Sequence, residues 1–311
     1  MSEIPAHHMQ PEPQISDFNR PVVEEFRANG GKVGGPFEGG DLLLLTTTGA
    51  RSGRSQISPL GFVRDGDRLL VVASAGGSPR HPAWYHNLIA NPMVRVEVGT
   101  ETFDAVAVPA QGSDRDRLFA HVVAQEPGYG DYQARTSRRI PVVVLDRVHS
   151  EAGDREVANL ADKLMEIHDW LRDQLARTRA ETDAYFAARH ATDGPPPVGL
   201  GMQIRQHCLA FCQSLHFHHT GEDGHMLPGL EQGYPHLAPV IERLRAEHVT
   251  VDRIRRELEG LLADVATADP VRFRAELDRM SSELTTHLAY EEETLIPVLA
   301  QVPFPPAGPG A

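Results

Sequence analysis

The sequence has 311 residues, 41% of them hydrophobic and 23% charged, and a formal net charge of −13. This length predicts two domains, and this composition excludes a wholly disordered chain. The acidity excludes general electrostatic attraction to nucleic acid or anionic lipid, and the apolar runs are too short for a transmembrane segment.

Cysteine content and the N-terminus indicate the compartment. Cys208 and Cys212 cannot form a disulfide framework, and their spacing in a helical pattern predicts small buried side chains in a reducing environment. Residues 1–14 lack the cationic and apolar stretches of a secretory signal. We therefore expect a cytoplasmic protein.

The first half of the chain has the periodicity of β-strands. After a Pro-rich tail at 1–16, which we predict to be disordered, residues 17–149 form the first predicted domain. Strands are predicted at 41–48, 68–74, 93–98, 102–108 and 140–145, and helices at 82–90 and 115–125. Because few helices separate about five strands, the pattern favours a small barrel or an α+β fold over a doubly wound parallel sheet.

Two stretches of this half carry candidate binding residues. The strand at 41–48 runs into a turn with Arg51, Ser52 and Arg54, whose guanidinium groups and amides suit an anion. Many exposed hairpins look similar, so this turn alone is a weak signal. Farther along, small residues at 73–78 precede Trp84. A glycine-lined cleft beside an aromatic side chain suits a flat ring ligand, and packing of Trp84 in the core is an equal alternative.

Five motifs resemble the deazaflavin-dependent nitroreductase family, which uses coenzyme F-420. They are Thr-Thr-Thr-Gly at 46–49, Ser-Pro-Leu at 58–60, Gly-Gly-x-Pro-x-His-Pro-Ala-Trp-Tyr-x-Asn-Leu at 76–88, Asn-Pro at 91–92 and Pro-Gly-Tyr-Gly-Asp-Tyr-Gln at 127–133. The resemblance covers about 37–148. It implies a split β-barrel that passes hydride from reduced coenzyme F-420, rather than from a flavin, to a quinone or nitro-type acceptor, and it makes a homodimer an expectation.

The same resemblance implies roles for individual residues. Arg51, Ser52 and Arg54 would bind the phosphate and acidic tail of the coenzyme. The residues implied to line the deazaflavin ring are Ser58, Pro59, Leu60, Ser74, Gly76, Gly77 and Trp84. Tyr129 and Tyr132 would lie on the substrate side, and they form the implied catalytic set with Ser74.

Three residues depart from that family pattern. Gln56 and Ala75 occupy positions that are often basic, and Glu126 occupies one that is sometimes aromatic. Fewer cations near the pocket would weaken its attraction for a polyanionic coenzyme. The alternative interpretation is therefore a non-catalytic sensor, in which the first domain is a ligand-binding and dimerisation platform without turnover.

The second half of the chain is helical. Beyond a linker at 150–158, residues 159–302 form the second predicted domain, and a Pro-rich tail follows at 303–311. Helices are predicted at 155–190, 202–220, 236–265 and 270–300, separated by Pro- and Gly-rich breaks. Four helices of this length favour an all-α four-helix bundle. The expected fold class is thus a two-domain α+β protein, a split β-barrel followed by that bundle.

An internal repeat carries the strongest functional signal. Residues 218–230 and 287–299 share the frame His, three residues, Glu, an acid, three residues, Leu or Ile, Pro, one residue, Leu. A His and a Glu four apart lie on one helix face, and one further His falls on each of the other two helices. The predicted metal ligands are His168, His218, Glu222, His248, His287 and Glu291.

Imidazole and carboxylate ligands at adjacent positions suit two iron ions, and the types of ligand are also compatible with manganese or zinc. Histidines on an exposed helix surface are the alternative, which the shared register of six residues disfavours. His219 and His225 are secondary candidates as neighbours or spare ligands, and Asp252 is one as an orienting partner.

The His-Asp-x-Leu-Arg segment at 168–172, the two repeat copies and His248 resemble the hemerythrin-like family over about 157–302. The resemblance implies a non-haem di-iron centre that binds or reacts with dioxygen, or senses iron and oxygen. Oxygen-carrying members typically have a second His where this chain has Asp252. We therefore expect sensing or redox coupling rather than reversible oxygen carriage.

Overall fold

The structure is a computed structural model that describes residues 13–148, 157–191, 200–262 and 269–304. The described residues form two compact units. The barrel unit comprises 13–148, 188–191 and 200–210, and the helical unit comprises 157–187, 211–262 and 269–304. Most of the predicted tail at 1–16, most of the linker at 150–158 and residues 305–311 of the final tail lie outside the described residues.

Six antiparallel strands form a closed barrel. They are β1 (Leu42–Thr48), β2 (Ser55–Asp65), β3 (Arg68–Val72), β4 (Met93–Val98), β5 (Glu101–Pro109) and β6 (Val142–Arg147). Their order is β1-β2-β3-β6-β5-β4, and β4 pairs back with β1. The helices of this part are α1 (Arg20–Ala28), α2 (Ala83–Ala90), α3 (Gly112–Gln125) and α4 (Gly128–Ala134). The predicted small barrel is confirmed.

The four consecutive leucines of β1 show how the barrel is covered. Leu43 and Leu45 belong to the interior cluster, whereas Leu42 and Leu44 pack in the cluster that includes α1. Both faces of β1 are therefore buried, and a strand buried on both faces has no need of alternating polar residues.

Three strands or α-helices of the barrel unit were missing from the prediction, namely β2, α1 and α4. β2 contains Pro59 and Gly61, which lower β-propensity, yet its residues 55–61 pair with β1 and Pro59 faces Leu44. Gly128 and Gly130 likewise weaken the helical pattern of α4. Tertiary pairing overrides local propensity at these places.

The helical unit is built from long helices. They are α5 (Leu160–Ala191), α6 (Leu200–Gly221), α8 (Ala238–Leu262) and α9 (Pro270–Leu299), with a π-helical turn (Glu222–Met226) and the short α7 (Leu227–Gly233) after α6. The four long helices correspond to the four predicted ones, and α7 was not predicted. None of the described helices combines the length and the apolar composition that crossing a bilayer requires.

The first half of α6 belongs to the barrel unit. Gln206 Nε2 donates hydrogen bonds to the carbonyl oxygens of Leu88 and Ala107, both at 3.0 Å, and Arg205 donates one to the Ile89 carbonyl at 2.9 Å. Leu88 and Ile89 lie in the last turn of α2, whose carbonyl groups have no partner within the helix. The barrel unit is thus completed by residues far along the chain.

Candidate metal centre and candidate cofactor site

The helices bring all six predicted metal ligands together in the interior of the helical unit. Each is at most 8% exposed. Ligand atoms of His168, His218, Glu222 and Glu291 lie within 4.8 Å of one another. His168 Nε2 and His218 Nε2 are 3.2 Å apart, so two imidazole nitrogens face the same point.

The two glutamates each lie between histidines of different helices. Glu222 Oε1 is 3.2 Å from His218 Nε2, and its Oε2 is 3.4 Å from His248 Nε2. Glu291 Oε2 is 3.5 Å from His168 Nε2 and 3.6 Å from His287 Nε2. A carboxylate placed between two sets of imidazoles is in the position that bridging two cations requires.

A fifth histidine, His219, completes the second set. His219, His248 and His287 form a buried group whose ligand atoms lie within 4.8 Å of one another. The His219 ring stacks on that of His248 with centroids 4.1 Å apart and 13° between planes. The sequence signal for His219 is its position next to His218, and the sequence predicts it only as a secondary candidate.

The other two secondary candidates lie elsewhere. His225 is exposed and belongs to neither group. Asp252 does not orient His248, because its carboxylate accepts hydrogen bonds from Arg255 and Arg256.

Three acidic side chains orient the histidines from outside the centre. Each accepts a hydrogen bond from Nδ1 of one ring, which leaves Nε2 of a neutral imidazole free to bind a cation. The pairs are His168 with Glu292 at 2.8 Å, His248 with Asp223 at 2.9 Å and His287 with Glu247 at 3.0 Å. Asp223 and Glu292 are the acids that follow the glutamate in each copy of the repeat. At this position the repeat therefore supplies a hydrogen-bond acceptor to a histidine on a different helix.

Burial keeps two imidazoles of the centre neutral. It lowers the pKa of His218 to about 3 and that of His219 well below its ordinary value, so both rings are neutral at pH 7. Burial, together with nearby Glu291, also raises the pKa of Glu222 well above the ordinary range. Neutral imidazoles are the form that binds metal ions, and a cation would remove the penalty on Glu222.

Unpaired buried atoms show that these residues fit cations. Among the described residues, both carboxylate oxygens of Glu222 and Glu291 and Nε2 of His219, His248 and His287 have no hydrogen-bond partner. One such buried polar atom costs about 1–3 kcal/mol, so seven of them converging on one place are explained by bound cations.

In the barrel unit, the turn after β1 carries two exposed arginines. Neither the Arg51 nor the Arg54 guanidinium is paired with a carboxylate in the part of the chain that the structure describes. Gly53 has φ +65°, which closes the turn, and Ala50 N donates to Asn87 Oδ1 at 3.1 Å. The turn is thus fixed to α2 while its cations face solvent, an arrangement that suits a polyanion.

Gln56, one of the departures from the family pattern, has a structural partner. Asn87 is buried and donates through Nδ2 to Thr47 Oγ1 at 3.1 Å and to Gln56 Oε1 at 3.2 Å. The amide of Gln56 therefore supports the turn and α2.

The loop between β3 and α2 has an unusual backbone. Ala75, Gly76 and Gly77 have φ angles of 46°, 62° and 83°. A left-handed conformation at a residue with a side chain is strained and persists only where its surroundings enforce it. At Gly77 a Cβ would lie 2.9 Å from the Tyr132 carbonyl oxygen, so only glycine fits.

Arg138, which sequence analysis did not single out, holds this loop. Its half-buried guanidinium donates to the carbonyl oxygens of Ala73 at 3.0 Å, Ser74 at 2.5 Å and Ser78 at 2.7 Å. Three hydrogen bonds from one planar guanidinium group fix the loop on both sides of its strained residues. No sequence motif marks Arg138, because its partners are backbone atoms sixty or more positions earlier.

The two tyrosines of α4 lie together beside β2. Tyr129 and Tyr132 have ring centroids 5.9 Å apart in an edge-to-face arrangement. A Cβ on Gly61 would lie 3.1 Å from the Tyr129 hydroxyl, which places that hydroxyl beside Gly61 of β2. Burial raises the pKa of Tyr129, so its hydroxyl remains a donor at neutral pH.

The remaining predicted ring contacts differ in exposure. Ser58, Pro59, Leu60 and Ser74 are half-buried. Trp84 is only 7% exposed and packs in the interior cluster of the barrel, in line with its alternative as a core residue. Contact between Trp84 and a coenzyme stays a prediction.

Comparison with known proteins identifies both parts of the chain. Residues 18–147 match the family described as F420H(2)-dependent quinone reductase, and residues 159–299 match the hemerythrin HHE cation binding domain. The chain is 45% identical over 126 residues to a curated F420H(2)-dependent quinone reductase of Mycobacterium tuberculosis, covering 39% of this chain and 85% of that protein. A solved F420-H2 dependent reductase (FDR-A) is 39% identical, with a TM-score of 0.33, over 34% of this chain and 94% of that one. The chain is therefore an oxidoreductase of the F420H(2)-dependent quinone reductase family that carries a hemerythrin-type cation-binding domain.

Proposed function

We propose that the barrel unit transfers hydride from reduced coenzyme F-420 to a quinone or nitro-type acceptor. Two observations carry this proposal: the barrel unit has an exposed, cationic turn at 49–54 that is fixed to α2, and it has a glycine loop at 74–78 that is held by Arg138. Bound coenzyme would supply the hydride, and the protein needs only to hold the ring, exclude water and orient the acceptor.

The chain's own residues have separable tasks in this proposal. Arg51 and Arg54 bind the anionic tail, with Ser52 beside them. The glycine loop lets a ring approach the backbone at Gly76, where an added Cβ would meet nothing within 4 Å. The protonated Tyr129 hydroxyl donates a hydrogen bond to an acceptor oxygen, and Tyr132 packs against it.

Replacing the two arginines tests the coenzyme site. We expect Arg51→Gln with Arg54→Gln to raise KM for reduced coenzyme F-420 about tenfold or more, with little change in kcat and a weaker dependence on salt. The assay follows coenzyme oxidation with menadione as acceptor. Arg95→Gln removes an exposed charge on β4 and is the matched control. An unchanged KM in the double variant would reject the assignment.

We further propose that the helical unit binds two iron ions within a four-helix bundle. The bridging positions of Glu222 and Glu291 between the two histidine sets support this stoichiometry. Iron would supply one-electron redox chemistry and a coordination position for dioxygen. The centre would then sense oxygen or iron, or exchange electrons with the reductase.

Iron content and electron exchange are measured separately. Anaerobic reconstitution with Fe²⁺ should give two ions per chain, and none would reject the metal proposal alone. Hydride carries two electrons whereas iron takes one, so direct exchange needs an intermediary. We expect the oxidised iron-loaded protein to be reduced by reduced coenzyme F-420 faster when menadione is present, as followed by the iron spectrum.

The alternative is an oxygen- or iron-responsive sensor in which the barrel has lost turnover. The hydrogen bond between Asn87 and Gln56 favours this alternative. Gln56 is neutral and has a structural partner, whereas the family often has a basic residue at that position. Coenzyme oxidation by menadione at any rate that depends on Arg51 and Arg54 would exclude this alternative.

A further inference from the structure

A cavity of about 180 Å³ opens between α6 and α8 beside the metal centre. Two of its lining residues, His219 and His248, are members of the second histidine set. No member of the group His168, His218, Glu222 and Glu291 lines it. The cavity therefore leads from the surface to one side of the centre.

The buried end of the cavity presents free ligand atoms. His219 and His248 are 5% and 4% exposed, and Nε2 of each has no hydrogen-bond partner among the described residues. A buried, unpaired imidazole nitrogen beside an opening is an accessible donor for an incoming cation.

The outer end of the cavity presents the carboxylate of Asp223, which no arginine pairs with among the described residues. Asp223 and Asp252 line it, with carboxylates that are 42% and 21% exposed. Arg255 also lines it, but its guanidinium is paired with Asp252 and Glu259. The exposed carboxylate of Asp223 outside and the two imidazoles inside form a series of an oxygen donor followed by nitrogen donors, whereas the carboxylate of Asp252 is already paired with Arg255 and Arg256.

We propose that this cavity is the path by which divalent metal ions reach the centre. The inference rests on the proposed metal-binding function, and it adds the direction from which the ions arrive. An ion would first be drawn to Asp223 and would then pass to His248 and His219. Electrostatic attraction at a narrow opening raises the rate of arrival without changing the final affinity.

Val249 offers a direct test, because it lines the cavity yet is 72% exposed and is not a ligand. Val249→Arg places a cation at the opening, and Val249→Glu places an anion there. Val271, 77% exposed in the first turn of α9, does not line the cavity and provides matched controls as Val271→Arg and Val271→Glu. The metal-free full-length chain is mixed with Co²⁺, and ligand-field absorption is followed in time.

We expect Val249→Arg to slow Co²⁺ uptake about 3- to 10-fold and Val249→Glu to accelerate it, whereas both Val271 variants stay within about twofold of the parent protein. The final Co²⁺ content should be the same in all five proteins. Equal rates for the arginine variants at 249 and 271, with normal final content, would overturn the proposed path. Absence of Co²⁺ binding to the parent protein would instead reject the metal centre itself.

Discussion

The proposed metal centre and the proposed coenzyme site are built in opposite ways. The ligands of the metal centre are buried side chains on long helices, and they carry seven unpaired polar atoms. The coenzyme site lies on turns and a loop, where exposed arginines face solvent and backbone strain is absorbed by internal hydrogen bonds. A site of the first kind makes stability depend on its ligand, whereas a site of the second kind is complete without one.

The largest expected effect follows directly from this contrast. Removing metal with a chelator should lower the thermal midpoint of the helical unit by about 10 °C, because a ligand at a thousand times its Kd stabilises the folded state by about 4 kcal/mol. Removing coenzyme F-420 should shift the midpoint of the barrel unit far less. Differential scanning calorimetry of the full chain measures both, and equal shifts would break the comparison.

A charge-removing substitution at Glu222 tests the dependence of stability on metal more closely. Glu222→Gln should reduce bound metal from two ions per chain to one or none. It should nevertheless leave the metal-free protein as stable as before or more stable, because burial penalises the carboxylate charge. Glu283→Gln, an exposed glutamate of α9, removes the same charge outside the centre. Metal loss in both variants would contradict the assignment.

His219 tests whether the centre has five histidines. We expect His219→Asn to release one of the two ions and retain the other, because His168 and His218 lie in the first group. Metal content and the ligand-field spectrum of the Co²⁺ form show this. His225→Asn, at an exposed position, is the control and should retain both ions. Full occupancy in His219→Asn would remove His219 from the ligand set.

The two sites also differ in how far the sequence predicts them. The repeat at 218–230 and 287–299 predicts the metal ligands because helix geometry converts a spacing of four into a shared face. The sequence marks His219 only as a secondary candidate, because the residue next to His218 projects 100° away from it on an ideal helix. The folded chain places His248 on that side, where its ring stacks on His219.

The barrel shows the opposite case. Its motifs predict the turn at 49–54 and the glycine loop, but β2 and α4 contain proline and glycine, which obscure their local preferences. Arg138 could not be found because its role depends on three backbone carbonyls that only the folded chain brings to it. Long-range hydrogen bonds to backbone leave no pattern in a sequence.

Arg138 provides the next prediction as a positioning residue. Arg138→Gln should weaken coenzyme F-420 binding about 5- to 20-fold by loosening the loop, and Arg138→Lys should rescue only part of it, since lysine lacks the planar fork. Coenzyme fluorescence gives Kd, and KM and kcat are compared. Arg139→Gln changes the exposed neighbour and should bind normally. An unchanged Kd in Arg138→Gln would mean that the loop keeps its conformation without Arg138.

The smallest effect is expected at the acceptor side. Tyr129→Phe should lower kcat/KM for menadione about 3- to 10-fold and leave the Kd of the coenzyme unchanged, because one hydrogen bond to the acceptor is lost. Tyr132→Phe is the matched variant on the same helix and should have less effect. Equal losses in both would indicate that packing, and not the Tyr129 hydroxyl, matters.

The hydrogen bonds of Gln206 have a consequence for dissecting the molecule. A fragment that stops at residue 148 contains all six strands but lacks the amide that binds the Leu88 and Ala107 carbonyls. Ala210, which packs with Val106 and Val108, would be missing as well. Such a truncation exposes apolar surface and leaves two carbonyl acceptors without their donor. A stand-alone reductase made from this chain would therefore need new residues on the surface that Gln206 and Ala210 cover before it could be purified in a folded form.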